Sequence, residues 1–304
     1  MPDDPEPRGG TADNARDRFQ ALAIVCVLAT LSMVIAFVGA TPARVSATEM
    51  LGATRSAGDQ AFIASHRGGG ATAPENTLPA ITAALAAGFD YVEVDVALTA
   101  DRQPVLMHDA TVDRTTDGHG RLSTLTLAQV QALDAGGWFR AEYAGTPVPT
   151  LAEFLDLLAT SGQRAIVELK GEWDAAAVAS AVGEVAARNL ERRVAVSSFD
   201  ARTLAMAASA SSVLPRLFIL KHLPPDVVSA ATEAGVRGLV VSRKAILERP
   251  EVVDELHAAG IRVVVYTLNS DTQWDEVTAL GVDGIVTDDP ATLSVWQKGV
   301  AGQE

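Results

Sequence analysis

The sequence predicts an α/β fold: a (β/α)8 barrel of the TIM type with a small insertion after strand 2, preceded by an N-terminal transmembrane or signal segment. Three observations carry this prediction. Eight short runs rich in Val and Ile are apolar almost without interruption, as parallel strands buried on both faces are. Amphipathic stretches of helical period separate them. The alternation fills residues 60–297, the size of one such barrel.

Taken in order, the strand candidates are residues 61–65, 91–96, 165–169, 194–198, 216–220, 238–242, 262–267 and 284–287. The helical patterns lie at 77–87, 151–160, 174–188, 201–210, 225–234, 250–259 and 271–280. Gly88, Gly235, Gly260 and Gly281 stand where a helix stop is expected. An open doubly wound sheet is the competing arrangement. It would need a glycine-rich phosphate loop after the first strand, and Gly68-Gly69-Gly70 lacks the spacing and the helix entry. Residues 97–149 are long and turn-rich with a strand pattern of their own at 104–108, and read as an insertion after the second strand.

The N-terminus is different in kind. Residues 1–18 are polar and predict disorder; residues 19–40 run without a charge, long enough to span a bilayer. Arg16 and Arg18 precede that run, which puts the N-terminus inside and the chain beyond residue 40 outside. Two readings stay open: an uncleaved anchor, giving a single-pass protein of the cell membrane with an extracellular domain, or a secretory signal cleaved near Val45-Ser46-Ala47. Residues 41–59 read as a flexible linker and 298–304 as a tail. The lone Cys26 excludes an internal disulfide or a cysteine-based zinc site. The chain has 304 residues and a formal net charge of -14, which argues against nucleic acid as a partner.

In a barrel of this type the chemistry sits at the carboxyl ends of the strands. Glu93 and Asp95, two apart on the second strand, share one face, with Val92, Val94 and Val96 on the other. Two buried carboxylates need a cation or a proton. Glu168, on the next strand, makes three, a set suited to one hard divalent ion, Ca²⁺ in preference to Mg²⁺. An ion-paired structural cluster with Arg67 and Lys170 is the plainer alternative. His66 and His108, each ending an apolar run, are candidates for general acid and base. Arg67 and Lys170 offer a fork and a point charge for a phosphate.

The motifs themselves resemble those of the glycerophosphodiester phosphodiesterases. The opening Ser65-His66-Arg67-Gly68 with Ala73-Pro74-Glu75-Asn76-Thr77 is similar to that family's first motif. Residues 92–96, 104–109, 113–120, 149–151, 167–170, 197–199, 266–269 and 281–290 continue it in family order, over about residues 61–295. The resemblance implies hydrolysis of glycerophosphodiesters, small molecules, to glycerol 3-phosphate and an alcohol. It implies Glu93, Asp95 and Glu168 as metal ligands and His66 and His108 as the catalytic pair. It places Arg67 and Lys170 at the phosphate, and Glu75 and Asn76 in support. Phe199 and Tyr266 are expected in the substrate pocket; Tyr266 stands where the family often has Trp. A phospholipase-D-like activity on lysophospholipids or envelope polymers is a second expectation, favoured by an apolar rim in which Trp138 and Phe139 are candidates. Non-catalytic binding of a phosphate ligand is a third.

Overall fold

The computed structural model describes residues 44–301, together with 19, 22–27 and 29–30. The chain forms two units divided between Ala43 and Arg44. In the first, residues 22–27 are helical. Most of the predicted apolar span 19–40, and the polar stretch 1–18, lie outside the described residues. Among the described residues no helix is long and apolar enough to cross a membrane.

The second unit is a closed barrel of eight parallel strands: β1 (Phe62–Ser65), β2 (Tyr91–Leu98), β4 (Arg164–Leu169), β5 (Val194–Ser198), β6 (Arg216–Leu220), β7 (Gly238–Ser242), β8 (Arg262–Tyr266) and β9 (Gly284–Thr287). The ring closes where β1 pairs with β2, Ala64 opposite Tyr91. A short strand, β3 (Pro104–Leu106), lies antiparallel on the upper end of β2 and is not part of the ring. Each barrel strand keeps the period of two. Val92, Val94 and Val96 pack outward against α2 (Leu78–Ala87) and α4 (Leu151–Ala159). Tyr91, Ile166, Leu217, Ile219, Val240, Val264 and Val286 pack inward.

Local chemistry sets the helix starts. Thr150 and Glu153 form a reciprocal capping box at the start of α4, and Asp174 caps α5 (Ala175–Ala187) from its side chain. Within and after the barrel three helices were not anticipated: α3 (Leu127–Gln131) in the insertion, capped by Thr126, α8 (Arg243–Glu248), capped by Ser242, and the final α11 (Pro290–Ala301), which runs past the barrel boundary expected at 297. The insertion has a small core of its own, with Val105, Met107, Val112, Leu122 and Val148 buried together.

The expectation of a flexible linker over 41–59 is corrected over its described part. Residues Ala47–Leu51 form a helix, α1, capped by Ser46. Val45, Met50 and Leu51 are fully buried and join the inward residues Tyr91, Leu217 and Val264. Tyr91 donates its hydroxyl to the carbonyl of Met50, and Arg262 Nε donates to the carbonyl of Gly52 at 3.0 Å. This segment stoppers the end of the barrel where the strands begin. The small-residue composition hid it, because Val45, Met50 and Leu51 do most of the burying.

Replacing Met50 or Leu51 by Ala removes buried atoms and leaves a cavity, so each is expected to cost about 2–5 kcal/mol. Urea unfolding of the full chain checks this; an unchanged midpoint would show that the stopper does not hold the barrel closed.

Candidate active site

At the carboxyl ends of the strands the inward rows turn from apolar to polar while keeping their parity. Ala64 leads to His66, Tyr91 to Glu93 and Asp95, Ile166 to Glu168 and Lys170, Ala195 to Ser197 and Phe199, Ile219 to Lys221, Val264 to Tyr266, and Val286 to Asp288. All but Asp288 line one cavity of about 680 Å³, floored by Ile166, Ile219, Val240 and Val286. His108, from the insertion, closes one side of it.

Glu93, Asp95 and Glu168 each turn a carboxylate oxygen into the same space, all within 4.8 Å of one another. The register explains this, since Asp95 lies directly opposite Glu168 across β2 and β4. The cations are shared unevenly. Lys170 Nζ lies 3.0 Å from Glu168 and 3.4 Å from Asp95, and Arg67 Nε lies 3.2 Å from Asp95. Burial works against the charge on Asp95, but Lys170 and Arg67 outweigh it and hold its pKa below the usual carboxylate range. Among the described residues Glu93 receives only the backbone N–H of Arg67, at 2.9 Å. Burial and the neighbouring Asp95 push it up to about 8. Glu168 is raised too, by burial and Asp95 against Lys170. The plain ion-paired cluster therefore accounts for Asp95 and leaves Glu93 short of positive charge. Three converging buried carboxylates, of which Glu93 is short of countercharge, fit a hard divalent cation.

Both histidines are held by carboxylates. His66 Nδ1 lies 2.6 Å from Asp288, and Arg67 Nε donates to His66 Nε2 at 3.2 Å, so the neutral ring carries its proton on Nδ1. Burial lowers the His66 pKa, but the Asp288 hydrogen bond and the charge of Glu93 reverse this and raise it above 6.5. Asn269 in turn donates to Asp288 at 2.6 Å. His108 Nδ1 lies 2.6 Å from Asp109; here burial prevails and the pKa is lowered. Arg114 donates to Asp109 at 2.6 Å and holds that carboxyl at about 2.

Arg114 also grips Glu75 with both terminal nitrogens, at 2.7 and 2.8 Å, and Glu75 binds Arg67 at 2.7 Å. One run of charges thus joins His108 to Arg67 through Asp109, Arg114 and Glu75. Asn76 clasps Asp95 twice, its Nδ2 donating to the carboxylate at 2.9 Å and its Oδ1 accepting the Asp95 N–H at 3.1 Å. Arg67 and Asn76 both adopt left-handed backbone, φ 54° and 55°, a strain that well-anchored functional loops sustain. Gly68 is required there: its φ is 85°, and a Cβ would meet the backbone of Ala80 and Ile81 at 3.1 and 3.0 Å.

Every site residue expected from the sequence is brought to this mouth. Phe199 stands edge-on to Tyr266, with ring centres 6.2 Å apart, and Lys221 lies over the Phe199 ring at 5.4 Å. Tyr266 is pushed up to about 12 by burial and Glu168, and its hydroxyl, buried, has no hydrogen-bond partner among the described residues. Sequence reasoning missed Asp288, Arg114, Ser197 and Lys221. Following the inward parity along β5, and past the ends of β6 and β9, would have found three of them; Arg114 carries no such signal.

Residues 66–292 match the family model described as the glycerophosphoryl diester phosphodiesterase family. A glycerophosphodiester phosphodiesterase of Caldanaerobacter subterraneus is 32% identical over 237 residues, covering 76% of this chain and 96% of that one. The solved structure of an Oleispira antarctica phosphodiesterase, in complex with the product sn-glycerol-3-phosphate, superposes with a TM-score of 0.71 at 27% identity, covering 78% and 96% of the two chains. That of a glycerophosphodiester phosphodiesterase from Agrobacterium tumefaciens gives 0.67 at 29% identity, covering 78% and 100%.

The His66–Asp288 pair makes a direct prediction. In Asp288→Asn the carboxylate that stabilises the imidazolium is gone and burial remains, so the His66 midpoint should fall from above 6.5 to below it. An NMR titration of the metal-free protein checks this, and an unmoved midpoint would exclude the contact.

Proposed function

The chain belongs to the glycerophosphoryl diester phosphodiesterase family, and from that premise we propose that it hydrolyses glycerophosphodiesters to glycerol 3-phosphate and an alcohol with one divalent cation at Glu93, Asp95 and Glu168. It is a phosphoric diester hydrolase. The observation that carries the metal-dependent reading is the triad of buried carboxylates, with Glu93 left short of countercharge, in one cavity with two carboxylate-held histidines. A bound cation would polarise a phosphate oxygen and acidify a coordinated hydroxyl.

The chain's own residues supply the rest. Arg67 and Lys170, both lining the cavity, hold the phosphate and stabilise charge that grows on it. His66 takes the nucleophile's proton on Nε2 in exchange for the Arg67 N–H that it accepts there, and Asp288 stabilises the imidazolium that results. The nucleophile is the glycerol 2-hydroxyl. Its oxygen bonds to phosphorus as the bond from phosphorus to the alcohol oxygen breaks, and His108 Nε2 gives its proton to that oxygen. Water then opens the cyclic phosphate with the two histidines in exchanged roles. The rings are shifted to opposite sides of 6.5. A pair that holds one proton between its members gives the same bell-shaped profile whichever ring carries it, so position decides the assignment. His108 stands on the insertion side of the cavity, where the alcohol leaves.

A small substrate is favoured over a bilayer lipid. Trp138, the exposed aromatic of the insertion, donates to the carbonyl of Ala135 and packs edge-on against Phe139, and neither ring lines the cavity. Lysophospholipids are the competing substrates, and faster turnover of them than of soluble glycerophosphodiesters would reverse this preference.

Two experiments test this. Glu93→Gln removes one ligand charge at nearly constant shape; it should weaken Ca²⁺ or Mg²⁺ binding by titration calorimetry and lower turnover, whereas full activity in excess chelator would sink the metal. His108→Ala should cost about 10²–10⁴-fold on a diester with an alkyl alcohol. A p-nitrophenyl diester, whose leaving group needs little protonation, should lose far less, and equal losses would move the acid role to His66.

A further inference from the structure

A second hollow, of about 570 Å³, adjoins the catalytic cavity, and His108 and Lys170 line both. One wall is the inserted segment at Ala97–Ala100 and Arg121–Ser123; the other is the loop Lys170–Glu172 beyond β4. We propose that this hollow is the subsite for the alcohol half of the substrate and that it takes a polyhydroxy alcohol. The proposal rests on the phosphodiesterase reading above and adds to it what lies beyond the departing oxygen.

Position comes first. A diester held at phosphorus by Arg67 and Lys170 has two substituents. Lys170 and His108 stand on the boundary between the two hollows, so one substituent remains among Phe199 and Tyr266 while the other crosses into the second. A proton leaving His108 is then delivered at the crossing, to the oxygen whose bond to phosphorus breaks.

Chemistry comes second. Leu98 and Leu122 are buried beneath the hollow and give it an apolar floor for carbon faces. Of its charged groups, Arg102 is bound to Asp174, Asp109 to Arg114 and His108, and Lys170 to Glu168 and Asp95. Arg121 on one wall and Glu172 on the other have no ion pair or side-chain hydrogen bond among the described residues. One unengaged donor fork and one acceptor, of opposite sign, suit a neutral alcohol with several hydroxyls. No aromatic ring lines this hollow, so it lacks the cage that a quaternary ammonium group favours.

The test is steady-state kinetics of the full chain and of Arg121→Ala, Glu172→Ala and Ser123→Trp. The substrates are the inositol, choline and methyl diesters of glycerol 3-phosphate. Losing a hydrogen bond to a charged group should raise KM for the inositol diester about tenfold with kcat nearly unchanged. Ser123→Trp, an exposed position on the wall, should do the same by filling the hollow. The methyl diester does not reach this far and should be unaffected. Its cleavage by the unaltered protein holds the phosphodiesterase reading in place within the same assay. An unchanged KM for the inositol diester in all three variants, an equal loss on the methyl diester, or a loss confined to the choline diester would overturn the polyol subsite.

Discussion

The constraint on which the structure turns is the concentration of buried negative charge at the mouth of the barrel. Glu93, Asp95 and Glu168 share a space less than 5 Å across, away from bulk water. Removing ionised carboxylates from water is costly unless charge and hydrogen bonds replace the lost hydration. The surroundings do this in part. Lys170 spans two of the three, Arg67 meets Asp95 with its side chain and Glu93 with its backbone, and Asn76 binds Asp95 from both ends of its amide. The loop carrying Arg67 and Asn76 accepts unfavourable backbone angles to make those bonds. Glu93 remains the least compensated, and the electrostatic case for a cation begins there.

The same constraint couples the insertion to the barrel. Arg67 cannot serve Asp95 and a phosphate unless something else fixes its guanidinium. Glu75 does so, and Arg114 of the insertion fixes Glu75. Arg114 also binds Asp109, which orients His108. The histidine contributed by the insertion and the arginine contributed by β1's loop are therefore positioned by one continuous set of ion pairs. Asp109, Arg114 and Glu75, the links of the set, each make more than one bond, so the set resists rearrangement better than isolated surface pairs would.

The two ends of the barrel are built on opposite principles. Where the strands begin, α1 drives Met50 and Leu51 into the bore and the interior is apolar. Where they end, the same inward rows carry charge. A tightly packed lower half gives the polar upper half a rigid base, which a site of opposed charges needs if its distances are to hold.

Much of this was legible in the sequence. Near-continuous apolar runs, helical periodicity and helix stops mark eight strands and the helices between them, because all depend on neighbours close in the chain. Glu93 and Asp95 are readable as a pair for the same reason: two residues apart on a strand means one face. The motifs bring in Glu168, Lys170, His66 and His108 as well. Tertiary structure alone decided the rest. That Asp288 holds His66 across 222 positions, that Arg114 ties Asp109 to Glu75, and that a stretch with the composition of a linker stoppers the barrel are outcomes of ring closure. Closure sets the first strand beside the last and folds the insertion over the mouth, and no local pattern encodes which side chains then meet.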